Sequence, residues 1–379
     1  MFKTTNKNQQ NSKVLSLEMK LKKIILKGFK SIRELELELR PLNVLIGPNG
    51  AGKSNFIGVF KLLNEMVEGN FQNTIARSGG AGTFLHFGGK VTERIEVELR
   101  FGPNGYKCVW APTADGSLFF EKEVTLFFGD YTPIHQELLG TGHKESWLSQ
   151  HVPKPVTPVS GYVMNALGSW KVHHFHDTSD TAKVKSIGDI NDNFYLRSDA
   201  SNLAAFLYSL KYGLFKSHYE AIRDQVRQVA PFFDDFILRP DPTNETKIRL
   251  EWREKSSDYP FMAYHLSDGT LRFMCLATLL LQPNPPSTIL IDEPELGLHP
   301  YAITVLASLF RSVTTNTQLI VSTQSVPLVN QLTLEDILVV DRVDGQSIFR
   351  HLQPEEMEDW LDDYGLGDLW EKNLLGGRP

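Results

Sequence analysis

The run Gly47-Pro48-Asn49-Gly50-Ala51-Gly52-Lys53-Ser54 constrains this chain more than any other stretch. It fits the phosphate-loop pattern, in which a glycine and a Gly-Lys-Ser end bracket four variable positions. Its flanks are those the mechanism needs. Ahead lies Asn43-Val44-Leu45-Ile46, a short apolar run suited to a buried central strand. Behind it Phe56, Phe60, Leu63 and Val67 recur at helical spacing from about Ser54. In such a turn the backbone N–H groups face inward around phosphates, and the helix N-terminus adds partial positive charge. Lys53 is then expected at the β- and γ-phosphates of ATP, and Ser54 on Mg²⁺.

A second segment supplies the acidic half of the same chemistry. Thr288-Ile289-Leu290-Ile291-Asp292-Glu293 is an apolar strand that delivers adjacent carboxylates at its carboxyl end, where open α/β sheets bind ligands. Asp292 is expected to complete the Mg²⁺ shell, and Glu293 to polarise the attacking water as general base. A third segment, Leu266-Ser267-Asp268-Gly269-Thr270, stands directly before an apolar helix. Taken alone it reads as an ordinary N-cap, with Ser or Asp satisfying free backbone donors.

The rest of the chain divides by pattern. Residues 1–16 are polar and expected as a disordered tail. Residues 17–128 form an N-terminal lobe holding the phosphate loop. There Leu35, Leu37 and Leu39 alternate with Glu34, Glu36 and Glu38, and Ile95, Val97, Leu99 and Phe101 alternate with charged residues. With turns at Pro103-Asn104-Gly105 and Asp115-Gly116 this predicts an antiparallel β meander. Residues 129–200, rich in Pro, Gly, Ser and His, are expected as an irregular insertion. Residues 201–262 are expected as a helical subdomain, with helical spacing over 202–215 and 219–229. Residues 263–379 alternate helix and strand, which argues for a parallel sheet covered by helices.

Composition narrows the setting. The 379 residues are 41% apolar and 22% charged, as in ordinary globular proteins. Cys108 and Cys275 can form neither a disulfide framework nor a Cys-x-x-Cys metal site, which suits a reducing compartment and a cytoplasmic location. No apolar run is long enough to span a bilayer, so no membrane partner is expected. The net charge of −6 argues against global, sequence-independent DNA binding. The lysines between Lys20 and Lys30 are followed at once by glutamates and read as a solvated strand face.

In their order, the three motif segments resemble the ATP-binding-cassette (ABC) ATPases, whose family signature is a Leu-Ser-x-Gly element. Within that class the chain resembles the RecF/SMC-like group, especially short AAA-type ATPases related to the ATPase half of OLD-family nucleases. The likeness is carried by Gly28 to Ile32, Gly47 to Asn55, Leu266 to Arg272, Ile289 to Pro300 and Leu366 to Trp370. It implies an α/β phosphate-loop head with a mixed central sheet, an antiparallel meander and a helical subdomain. It also implies a head-to-tail homodimer with ATP sandwiched between subunits. On this reading the nucleotide-contacting residues are Gly47, Pro48, Asn49, Gly50, Ala51, Gly52, Lys53, Ser54 and Asn55, with Lys30 and Ser31 nearby. Ser267, Asp268 and Gly269 serve the partner's nucleotide, and Glu295 to His299 meet the partner.

Departures from the family pattern limit the transfer. Where these ATPases usually present a histidine to the γ-phosphate, this chain has Gln324, which cannot carry a proton as imidazole does. Slow hydrolysis and a long-lived ATP state are therefore expected. The lobe-linking glutamine has no assignable counterpart, since Gln72 comes too early. The SMC rod and the OLD cleavage domain are both expected to be lacking. His173, His174, His176 and Asp177 suggest a metal cluster but lack zinc spacing, and a satisfied strand-end cluster is the favoured reading. The leading expectation is an ATPase in DNA metabolism, repair or anti-phage defence, with DNA a candidate partner. The alternative is an ATP-gated switch controlling a separate effector, such as a nuclease or toxin. A membrane-transporter subunit is the least favoured reading.

Overall fold

The computed structural model describes residues 20–129, 134–148, 157–353, 360 and 363–378. The tail expected over residues 1–16 lies outside them. Strands β1 (Lys23–Phe29) and β2 (Ile32–Glu38) form an antiparallel hairpin. Their alternation sorts the two faces. Ile24, Leu26, Leu35 and Leu37 are buried, whereas Lys23 pairs with Glu36 and Lys27 with Glu34 on the outside. That pairing puts Lys23 and Lys27 on a solvated strand face, whereas Lys20 is buried and donates from Nζ to the Thr314 carbonyl at 2.8 Å.

Strand β3 (Leu42–Ile46) is buried along its whole length and leads through the phosphate loop into helix α1 (Lys53–Val67). After α2 (Phe71–Arg77) come β4 (Ile95–Phe101), β5 (Asn104–Pro112), β6 (Leu118–Phe127) and β7 (His135–Gly140). They complete an antiparallel sheet of order β2-β1-β4-β5-β6-β7, the expected meander extended by the first hairpin.

The stretch expected to be irregular, 129–200, contains regular structure that matters. Helix α3 (Pro158–Ser169) starts where the Thr157 hydroxyl accepts from the Ser160 N–H at 3.2 Å, and it buries Val163, Ala166 and Leu167. It feeds β8 (Lys171–His173), which joins the central sheet. The subdomain expected to be helical also needs correction. Helices α4 (Leu203–Tyr212) and α5 (Lys216–Val229) are present, but Phe233–Ile237, Glu251–Glu254 and Phe261–Met262 then form a small antiparallel sheet. Aromatic packing holds it, with Trp252 stacked on Phe261 at 5.0 Å between centroids and Phe233 edge-to-face with Phe236 at 4.8 Å.

The last third alternates as expected: α6 (Asp268–Leu281), β9 (Thr288–Asp292), α7 (Pro300–Val313), β10 (Gln318–Ser322), β11 (Ile337–Val343) and β12 (Gln346–His351). The central sheet has the order β12-β11-β3-β10-β9-β8 and is parallel except for the antiparallel β12. Both faces are buried, so its strands carry apolar residues at successive positions. Leu45, Leu290, Ile320 and Leu338 face α1 and the meander, while Val44, Ile289, Ile291, Leu319 and Val321 face α6 and α7. The carboxyl ends of β3, β9, β10 and β11 meet at one edge of the sheet. Among the described residues no helix is long and apolar enough to cross a membrane.

Candidate nucleotide site

At that edge a cavity of about 220 Å³ is lined by the phosphate loop, by Asp292 and Glu293 after β9, and by Ser322 and Gln324 after β10. The loop depends on its glycines. Gly47, Gly50 and Gly52 all have positive φ, and a Cβ on Gly47 would collide with the Val340 carbonyl. Lys53 is buried, and its ammonium donates to the carbonyls of Gly47 at 2.5 Å and Pro48 at 3.2 Å. Burial pushes its pKa below the ordinary value, while the carboxylates of Glu293, Asp292 and Glu295 oppose that shift. Ser54 is exposed to the same cavity as Asp292. Both offer the hard oxygen donors that suit Mg²⁺.

The acidic pair is held by β10. The Ser322 hydroxyl donates to Asp292 Oδ1, and the Glu293 N–H donates to the Ser322 carbonyl at 2.9 Å. Glu293 sits at φ 42°, a left-handed backbone that non-glycine residues seldom adopt. Gln324 does not stand free in the cavity: its Nε2 donates to Glu293 Oε1 at 2.5 Å. Glu295, buried one turn further on, accepts from the Thr323 hydroxyl at 2.5 Å and the Gln324 N–H at 3.3 Å. Its Oε2 has no partner among the described residues, and burial raises its pKa.

The remaining nucleotide candidates are dispersed. Ser31 stands behind the loop, accepting from Asn55 Nδ2 at 2.7 Å and hydrogen-bonded hydroxyl to hydroxyl with Ser347 at 2.7 Å. Lys30 turns away from the cavity, its Nζ 5.7 Å from the Phe29 ring centroid and 5.3 Å from that of Phe84. Ser267 caps α6 by accepting from the Thr270 N–H at 3.2 Å, and with Asp268 it is exposed. Neither these two residues nor Gly269 lines the cavity. Gly269 lies so close to Gly297 that a Cβ would strike the Gly297 carbonyl.

His173 is buried, and neither ring nitrogen has a partner among the described residues, whereas His176 Nε2 lies 3.1 Å from the Asp292 carbonyl. No group of three metal-ligating side chains occurs among the described residues. The segment is instead clamped by Arg272, whose buried guanidinium donates to the carbonyls of Phe175 at 2.8 Å and His176 at 3.2 Å. Sequence reasoning missed Ser322, Arg272 and Arg342. Arg342 lines the cavity and donates from Nη1 to the Gly50 carbonyl at 3.2 Å. No local pattern marks it, because its place is set by strand pairing far along the chain.

Comparison with known proteins finds ATPase-domain segments and a shared fold. Residues 19–104 match a family model described as "AAA ATPase domain", and residues 160–330 match one described as "AAA domain, putative AbiEii toxin, Type IV TA system". An OLD nuclease of Thermus scotoductus is 22% identical over 316 residues, which cover 74% of this chain and 54% of the nuclease. The chain thus spans about half the length of that relative. An SMC head bound to the C-winged helix domain of ScpA superposes with a TM-score of 0.59 at 16% identity, covering 90% of this chain and 99% of that one. The Smc head of Pyrococcus furiosus, bound to the C-terminal domain of ScpA, gives 0.54 at 14% identity, covering 91% and 99%. These likenesses are of fold. The matched segments are those of AAA-family ATPase domains, and the chain resembles an OLD nuclease in sequence and SMC heads in fold.

Proposed function

We propose that this chain binds Mg-ATP in the cavity between the phosphate loop and Asp292, and that two copies close head-to-tail around the nucleotides. One observation carries the reading. Loop, lysine and acidic pair converge on one cavity, whereas Ser267 and Asp268 stand outside it at the surface. A helix N-terminus capped by a surface serine suits the terminal phosphate of a nucleotide held by another copy. Ser54 and Asp292 would hold Mg²⁺, which neutralises charge on the β- and γ-oxygens. Lys53 gathers the same phosphates, and Glu293 takes the proton from the attacking water.

Mixing tests the shared site. Lys53→Ala and Ser267→Arg subunits are each expected to be inactive as homodimers. A mixed dimer contains one intact composite site, so combining them restores turnover. Absence of any recovery would sink the head-to-tail arrangement.

A second reading is favoured by the bond from Gln324 to Glu293, which occupies the carboxylate that must accept a proton. In that case the chain is a slowly hydrolysing, ATP-gated switch acting on a separate effector. The kinship with an OLD nuclease motivates a cytoplasmic role in DNA metabolism, repair or defence against foreign DNA. Turnover that rises with duplex DNA and falls back as salt is added would mark a phosphate-contacting partner. Turnover indifferent to DNA at every salt concentration favours the effector reading.

A further inference from the structure

The inference rests on the nucleotide-binding reading and concerns the side wall of that cavity. Strand β11 pairs in parallel with β3, Leu338 opposite Leu45 and Val339 opposite Ile46. It then runs on past the end of β3, beside the phosphate loop. Val340 packs against Gly47, and Ser347, returning on β12 directly opposite Arg342, donates to the Ala51 carbonyl. The turn of this hairpin is fixed as well, for a Cβ on Gly345 would come within 2.7 Å of the Phe87 ring. The hairpin is therefore a rigid flank of the loop, and Arg342 is its one cation facing the cavity.

The guanidinium is poorly matched to what it touches. It has five N–H donors in a planar fork. A hydrogen bond to the Gly50 carbonyl at 3.2 Å uses one of them, and no carboxylate among the described residues pairs with it. An exposed arginine with no acid partner, on a rigid strand at the mouth of a cavity built to hold anions, suits the fork recognition of phosphate oxygens. Asp292 and Glu293 share the cavity, so a cation at its rim also offsets repulsion between those carboxylates and an incoming polyphosphate.

We propose that Arg342 is a nucleotide-binding residue that contacts the polyphosphate of ATP from the β11–β12 hairpin, in the cavity that Lys53 also lines. It acts on binding, not on proton transfer. Removing the charge should therefore raise KM and leave kcat nearly unchanged.

The test is titration of the full chain with a fluorescent ATP analogue in Mg²⁺, using wild type, Arg342→Ala and Arg342→Lys, with Lys53→Ala as reference. The side chain is exposed, so all Arg342 variants should melt as the wild type does. Arg342→Ala is expected to weaken binding by about tenfold or more, the size of a charge-assisted hydrogen bond. Arg342→Lys should recover part of the loss, and the salt dependence of binding should be shallower in Arg342→Ala. Unchanged affinity in Arg342→Ala, with wild type binding and Lys53→Ala not, overturns the proposal and leaves the nucleotide site standing. Failure of the wild type itself to bind would instead remove the reading on which the proposal rests.

Discussion

Glu293 holds a backbone conformation that favours glycine, and its carboxylate is tied to the carboxamide of Gln324. The strain persists because the Glu293 N–H is anchored on the Ser322 carbonyl and the turn after β10 is pinned by Glu295. On the proposed reading, in which Glu293 is the general base, an amide at position 324 can orient that carboxylate but cannot relay a proton. Gln324→His should therefore speed single-turnover hydrolysis by about a hundredfold, the low end of general acid–base effects. An unchanged single-turnover rate would show that position 324 does not limit the chemistry.

His173, near the same edge, answers to pH. Burial pulls its imidazole from an ordinary 6.5 down to about 3. Between those values the unfolded chain takes up a proton that the folded chain refuses, so this histidine lowers stability as pH falls through the window. The difference is about 2 kcal/mol near pH 5. His173→Leu should flatten the pH dependence of unfolding over that range. Parallel wild-type and variant curves would show that the ring finds a proton acceptor when charged.

At the scale of elements, the segment Glu293 to His299 is the joint between α6 and the catalytic edge. Gly269 is pressed against Gly297, and Arg272 on the same helix clamps the carbonyls after β8. Gly269→Ala puts a methyl group into the Gly297 carbonyl and should cost about 1–3 kcal/mol in chemical denaturation, as for overpacking elsewhere. A variant as stable as the wild type would mean that the turn yields freely. The elements that carry the chemistry were legible in sequence because each is contiguous: strand, glycine turn and helix around Lys53, and apolar strand and acids around Asp292. Helix α3 was not, since Pro158, Gly161 and Gly168 dilute its apolar spacing, and β8 is too short to show a period. Arg342 escaped for a different reason. It reaches Gly50 only through the pairing of β11 with β3, a contact between distant parts of the chain.

For the molecule as a whole, the central sheet gathers the phosphate loop, Asp292, Glu293, Gln324 and Arg342 around one cavity open to solvent. Ser267 and Asp268 remain at the surface, flanked by exposed Met262, Tyr264, Leu296 and Tyr301. A second copy would bury these residues and supply the anion site that each cavity lacks, so assembly should depend on the triphosphate. Sedimentation of Glu293→Gln, which should bind ATP without cleaving it, tests this most directly. With saturating Mg-ATP the account predicts a dimer that reverts to monomer with ADP. A monomer under both conditions, at protein concentrations where nucleotide binding is complete, would contradict it.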